Sequence, residues 1–235
     1  MRIGRAFLAL AVAFGISGCA ARVSGGDPRF ITSGALGADY SVPVASLLAR
    51  KFNTVVRQQY DFSCGSAALA TLLRYHYALP RSESDVFTGM WKDGDQAQIR
   101  QVGFSLLDMK RYLTQSGLRA DGYKVPLDAI RQRGLPGIVL ITVKNYRHFV
   151  VLKGVGDRDV LFGDPSTGLR VVPRDEFAKM WNGVYFVLNS MTETGQQNFN
   201  GGQWQLFARA RTDAPFLDPV SQQALALTAP FYRDF

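Results

Sequence analysis

Apolar residues fall into two regimes along this chain of 235 residues. One is a helical run, and the other is a series of short strand-like blocks. The helical run is Ala67, Ala68, Leu69, Leu72 and Leu73. It follows Cys64-Gly65 and reads as a buried helix from Cys64 to about Tyr77, ended by Pro80. Upstream, Phe52, Val55 and Val56 mark KFNTVVRQQ as an approach strand. Residues 81–103 are polar and carry Gly89, Gly94 and Gly103, which predicts a short helix after Ser82 and then a long loop. Ser105-x-x-Asp108 is a capping-box pattern opening a helix through Leu113, with Gly117 as its stop. A strand over Leu118–Val125 and a short helix over Leu127–Arg133, stopped by Gly134 and Pro136, come next. Then strand blocks crowd together: GIVLITV, HFVVLKGV, DVLFGD and LRVVP. A last helix over Asp175–Trp181 leads into the strand VYFVLN. Helices first and antiparallel strands after them predict an α+β domain, with helices packed on one side of the sheet.

The flanks differ. Arg2 and Arg5 precede an apolar stretch, AFLALAVAFGI, too short to span a bilayer comfortably. Residues 1–18 therefore read as a signal peptide. Ile16-Ser17-Gly18-Cys19 resembles a bacterial lipobox, which implies that Cys19 carries lipid. Ala20 after the Cys, by resemblance to Gram-negative lipoproteins, favours an outer-membrane address facing the periplasm. Residues 19–49 read as a tether, with a short helix or strand around VPVASLLARKF. Residues 191–235 hold Gly, Gln, Asn and Pro with few core-like runs. They read as a tail, partly disordered or wrapped on the domain, with one short amphipathic helix in QQALALTA.

Composition adds limits. Apolar residues make up 47% of the chain, enough for one domain with a real core. Net charge is +8, or +6 without Arg2 and Arg5, and the basic residues are scattered. That is a solvated surface rather than a nucleic-acid footprint. No cofactor motif is present. The chain has two Cys. With Cys19 lipidated, Cys64 is a lone thiol in a compartment that favours disulfides.

A lone Cys is ordinarily a small buried hydrophobe. Cys64, however, opens a helix, where partial positive charge and free N–H groups favour a thiolate. A thiol nucleophile needs a base, and only His76 and His148 are on offer. His76 lies twelve residues along the same helix, about 18 Å away at 1.5 Å per residue, and reads as structural. His148 opens the strand His-Phe-Val-Val-Leu, on the face of Val150 and Leu152 by alternation. Asp164 ends the next strand, and a hairpin turning near Gly156-Asp157 can set it beside His148. There an Asp would fix the imidazole tautomer; it is equally a common turn residue before Pro165. Gln58 offers an amide to a developing oxyanion alongside the Cys64 N–H, although Gln59 beside it shows that Gln is ordinary in such a loop.

These pieces carry a resemblance. Gln58 six residues before Cys64, Cys64-Gly65-x-Ala67, His148-Phe149-Val150-Val151-Leu152 and Asp164-Pro165 together resemble the papain-like domain of the double-glycine-leader (bacteriocin-processing) cysteine peptidases. The resemblance covers roughly residues 50–190. It implies a papain-like fold, with Cys64 as nucleophile, His148 as base and acid, Asp164 as orienter and Gln58 in the oxyanion hole. It implies a polypeptide substrate of a secretion system, cut after small residues of the Gly-Gly type. Ser63 departs from the Asp common at that position. No membrane spans and no G-x-x-x-x-G-K-[ST] motif follow. The chain thus looks like a free-standing lipoprotein relative, similar to the peptidases that accompany functional-amyloid export. A non-cleaving binding module for an export substrate and a peptidoglycan endopeptidase are the other readings. The chain's own Gly25-Gly26 and Gly201-Gly202 pairs are candidate self-cleavage points.

Overall fold

The computed structural model of the protein describes residues 29–33, 39–43, 46–144 and 146–201. The signal peptide, Cys19, Gly25-Gly26, Gly202 and the QQALALTA segment lie outside the described residues. The described residues belong to two units, one up to Ala45 and one from Ser46 onward. The first contains two antiparallel strands, β1 (Arg29–Ser33) and β2 (Asp39–Pro43), paired from Arg29 with Pro43 to Ser33 with Asp39. The segment read as a tether with a short helix or strand around VPVASLLARKF thus carries a strand pair, with a short helix following at Leu47–Phe52.

The second unit runs α1 (Leu47–Phe52), α2 (Cys64–His76), α3 (Glu83–Asp93), α4 (Gln96–Val102), α5 (Leu106–Gln115), β3 (Ala120–Lys124), α6 (Leu127–Arg133), β4 (Gly137–Val143), β5 (Tyr146–Val155), β6 (Asp159–Asp164), β7 (Gly168–Pro173), α7 (Arg174–Met180), β8 (Trp181–Leu188) and α8 (Thr192–Gln197). Strands β3 to β8 form one antiparallel sheet in the order β3-β8-β4-β5-β6-β7. The α+β class is as expected. The placement of the helices is not, because both faces of the sheet are covered. Ile138, Phe149, Val151, Phe186 and Leu188 pack with residues of α2, α3 and α5. Val139, Ile141, Val150, Leu152 and Val187 pack with Leu127, Ile130 and Phe177 of α6 and α7. The reason is in the sequence. Strands β4 and β5 are continuous apolar runs rather than alternating ones, and such strands need cover on two sides.

Helix α2 is the axis of the first layer. Leu69, Leu72 and Leu73 are at most 1% exposed, each burial contributing about 1.5–3 kcal/mol. The stretch 81–103, expected as a helix and a long loop, forms two helices. Ser82 and Asp85 form a reciprocal capping box, and Val86 and Met90 are buried one turn apart. Asp95 then caps α4 by accepting from the Gln98 N–H at 3.0 Å, and Ile99 enters the core. Gly89 does not end α3; it lets the Tyr112 ring of α5 lie against the helix, where a Cβ would come within 2.5 Å of that ring. The approach segment forms no strand. Val55 packs with Leu161 and Leu169, and the Val56 N–H donates to Thr71 Oγ1 of α2 at 2.9 Å. These side-chain anchors replace a ladder.

Packing also continues beyond residue 190. Asn198 brackets His76: its Nδ2 donates to the His76 carbonyl at 3.1 Å, and its own carbonyl accepts from His76 Nδ1 at 3.2 Å. The Asn200 N–H donates to the Lys153 carbonyl at 3.0 Å, and Phe199 is buried against α6. The bond to Asn198 leaves the proton on Nδ1 of His76, while Nε2 is buried without a partner. Burial, then Lys153, holds this imidazole well below 6.5, so it is neutral. His76 is a structural clasp for the segment after β8.

Lys153 sits where the β5–β6 register shifts between Leu152 and Gly154. It is 2% exposed, and among the described residues no carboxylate pairs with it. Its Nζ reaches Thr54 Oγ1 at 3.4 Å and lies 5.7 Å from the Tyr75 ring centroid. Burial lowers its pKa from 10.5 to about 7. A base with a depressed folded pKa loses stability as pH falls from the unfolded value towards the folded one. The window for Lys153 is therefore 10.5 down to about 7. We expect Lys153→Met to be more stable than wild type at pH 7 by roughly 2–4 kcal/mol, measured by chemical denaturation. The advantage should shrink as pH rises towards 10. An advantage independent of pH would mean that the amine is solvated.

Candidate active site

The site forms where three parts of the second unit meet: the N-terminus of α2, the start of β5 and the end of β6. Cys64 is the first residue of α2. It is a free thiol, 6% exposed. Gly65 behind it allows close packing: a Cβ there would sit 3.0 Å from both Met109 Cε and Phe104 Cβ. The helix is thereby drawn tightly against α5, and the sulfur is placed at its open end.

His148 is buried at 5% exposure. Its Nε2–H donates to Asp164 Oδ1 at 2.8 Å, which leaves Nδ1 as the nitrogen that gains and loses the ring's second proton. Nδ1 is buried with no hydrogen-bond partner of its own, and the ring interacts with Cys64. Strict alternation would turn His148 away from α2, together with Val150 and Leu152. Instead His148 and its neighbour Phe149 both approach the Cys64-Gly65 turn. The strand end meets the helix end edge-on, so the alternation that sorts the middle of β5 does not sort its first residues.

The electrostatics bind the group together. Burial alone would lower the pKa of His148. The bond to Asp164 and the interaction with Cys64 outweigh it and raise the value from 6.5 to about 9. Burial would push Asp164 up, but His148 and Ser166 hold its carboxyl well below the usual carboxylate range. Asp164 Oδ1 also accepts from the N–H groups of Ser166 at 2.8 Å and Thr167 at 3.2 Å, and from Ser166 Oγ at 2.6 Å. The carboxylate therefore builds its own turn and holds the imidazole with the same oxygen. The turn-residue reading and the orienting reading describe one side chain.

Gln58 is half-buried and Gln59 exposed. The Gln58 N–H donates to the Pro165 carbonyl at 3.0 Å, which ties this loop to the turn after Asp164. Its side-chain Nε2 donates one proton to the Tyr60 carbonyl at 3.2 Å. A primary amide has a second proton to offer.

Two contributors were not visible in the sequence. Tyr146, two residues before the block HFVVLKGV, opens β5. Its hydroxyl donates to the Asp61 carbonyl at 2.9 Å, and its ring lies 5.9 Å from that of His148. Glu83 is the second. It is 4% exposed, and its Oε1 accepts from Ser63 Oγ at 2.6 Å and from the Gln59 N–H at 3.2 Å. A lone Tyr and a helix-starting Glu carry no sequence signal for such roles. A cavity of about 1190 Å³ opens on Cys64, walled by Phe104, Leu106, Leu140, Tyr146 and Phe149. Cys64 faces this space, while His148 and Asp164 stand behind it.

A probable functional amyloid protease FapD of Pseudomonas fluorescens is 44% identical over 145 residues, covering 62% of this chain and 64% of the relative. The protein of the same name from Pseudomonas aeruginosa is 43% identical over 145 residues, with the same coverage. The chain thus spans somewhat less than two thirds of the length of these relatives. Among solved structures, the peptidase domain of Streptococcus ComA, a bi-functional ABC transporter, aligns with a TM-score of 0.49 at 22% identity over 57% of this chain and 96% of that one. A double glycine motif protease from an AMS/PCAT transporter, solved with its leader peptide, aligns at 0.48 and 26% over 57% and 89%. Residues 53–193 match the family described as Peptidase C39. That span contains Gln58, Cys64, His148 and Asp164, and on it this chain belongs to the peptidase C39 family.

Proposed function

We propose that the protein is a cysteine endopeptidase that cuts a secreted or exported polypeptide. The observation that carries this reading is the buried imidazole of His148, held by Asp164 on one side and facing Cys64 on the other. In this reading the Cys64 thiolate attacks a backbone carbonyl and forms a tetrahedral oxyanion. The Cys64 N–H and the free proton of the Gln58 amide receive that charge. His148 then gives a proton to the leaving amine, which departs and leaves a thioester on Cys64. The same ring takes a proton from water, and the resulting attack releases the acid and the thiol. Asp164 keeps its charge throughout, stabilising the imidazolium.

The family and the relatives support a substrate class. A cut after small residues of the Gly-Gly type suits a thiol only 6% exposed, because bulky side chains next to the scissile bond would meet the walls around it. The FapD relatives support a substrate belonging to a functional-amyloid export system. The address rests on the sequence: lipid on Cys19, outer membrane, periplasmic face.

Cys64→Ala and His148→Ala should each abolish cleavage while leaving the melting temperature within a few degrees of wild type. His76→Ala should lose stability yet keep kcat in the folded fraction. Incubating candidate exported polypeptides with each variant and reading cleavage by mass spectrometry checks this; full turnover by Cys64→Ala would end the peptidase reading. Asp164→Asn should cost less than losing Cys64 or His148, and Gln58→Ala should lower kcat on the order of 10²-fold. Separately, Cys19→Ser should move the protein from the membrane fraction to the soluble periplasm with its catalytic centre intact. Retention of that variant in membranes would refute the lipid anchor.

A further inference from the structure

Ser63 holds the N-cap position of α2 but makes no capping bond with its side chain. Ordinarily such a serine accepts from an N–H of the first turn. Here the Ser63 backbone, at φ -96° and ψ 12°, lies outside the extended region a capping serine adopts, and its hydroxyl is engaged elsewhere. It donates to Glu83 Oε1 at 2.6 Å and accepts from the Tyr60 N–H at 3.1 Å. The same carboxylate oxygen accepts from the Gln59 N–H at 3.2 Å and stands 3.5 Å from Ser66 Oγ. The residue on the other side of the loop is pinned too, by the Gln58 N–H to Pro165. Consecutive amides of the loop are therefore held from opposite sides, one by the turn of Asp164 and one by Glu83. Glu83 is 4% exposed, with Oε2 buried and unpartnered. A buried carboxylate with an idle oxygen is costly to fold, so its stability value alone does not explain it.

We propose that Glu83 is a positioning residue for the nucleophile loop. It ties the Ser63 hydroxyl, one residue before Cys64, to the first residue of α3. By fixing the Gln59 amide, it also sets where the Gln58 side chain stands. Glu83 touches no reacting atom; it acts through Ser63 and through residues 58 and 59. With Glu83 removed, Ser63 Oγ and the Gln59 N–H both lose their acceptor, and the loop before Cys64 loses its tie to α3.

The kinetic part of the test rests on the peptidase reading; the chemical part does not. Glu83→Gln, Glu83→Ala and Ser63→Ala are compared with wild type in two assays. One is the rate of Cys64 alkylation by iodoacetamide, and the other is kcat and KM on a peptide that wild type cleaves. Glu83→Ala should lower kcat by at least about tenfold with KM within about twofold, and alkylation should slow as well. Glu83→Gln keeps a carbonyl for the same donors and should stay within about threefold of wild type. Ser63→Ala removes the other end of the Ser63–Glu83 bond. The double variant Ser63→Ala/Glu83→Ala should therefore lose no more than Glu83→Ala alone. Glu83→Ala within twofold of wild type in both assays overturns the proposal. So does Glu83→Gln falling as far as Glu83→Ala. If Glu83→Ala does not fold, Glu83→Gln and Ser63→Ala decide through the Gln59 amide. Its hydrogen exchange should stay slow in Glu83→Gln and quicken in Ser63→Ala; unchanged exchange in Ser63→Ala overturns the proposal. If wild type cleaves no peptide, the peptidase reading fails while the alkylation and exchange readouts still judge Glu83.

Discussion

A buried imidazole between a carboxylate and a sulfur sets the terms for the rest of this molecule. His148 can keep a raised pKa at 5% exposure only because Asp164 lies 2.8 Å from Nε2 and Cys64 faces the opposite side of the ring. Each partner comes from a different element, so three elements must stay in register. The β5–β6 pairing, Val151 with Gly163 and Leu152 with Phe162, carries the first partner. The packing of α2 on the sheet carries the second. The Gln58–Pro165 bond carries the loop before α2 to the turn after β6. No one of these links is strong alone, since a net hydrogen bond contributes about 0.5–1.5 kcal/mol. The core behind them holds the geometry.

The two histidines show how environment divides one residue type into two roles. His76 is clasped by Asn198 at the far end of α2 and kept neutral. His148 is paired and pushed upward. Both are buried, so burial does not distinguish them; the presence of an acidic partner does. Lys153 is set apart from the exposed cations by burial instead. It stands at a shift of strand register, and desolvation lowers its pKa to about 7.

Much of this was legible in the chain. Capping boxes, glycine stops and β-branched runs marked α5, α6 and the strands from β4 to β8 within a few residues. Cys64, His148 and Asp164 each had a bland reading alone and were named together through the family resemblance; the structure sets them side by side. What escaped depends on long-range contact. The full length of α3, and α4 after it, were obscured by Gly89, because glycine at a close helix contact looks like glycine in a loop. Cover on the second sheet face was written in the unbroken apolar runs of β4 and β5, yet short helices α6 and α7 gave little sign of lying there. Glu83 and Tyr146 act through partners 20 and 85 residues away, and no local pattern announces such pairs.

Because the chain has only two histidines, one measurement reaches the central claim directly. An NMR titration of the imidazole resonances in wild-type protein, assigned with His76→Gln, should give two widely separated midpoints. His148 should titrate near 9, and His76 should resist protonation well below 6.5. In Asp164→Asn the His148 midpoint should fall sharply while His76 is unmoved. A His148 midpoint at or below 6.5 in wild type would contradict the account, for it would mean that neither Asp164 nor Cys64 holds the ring in solution.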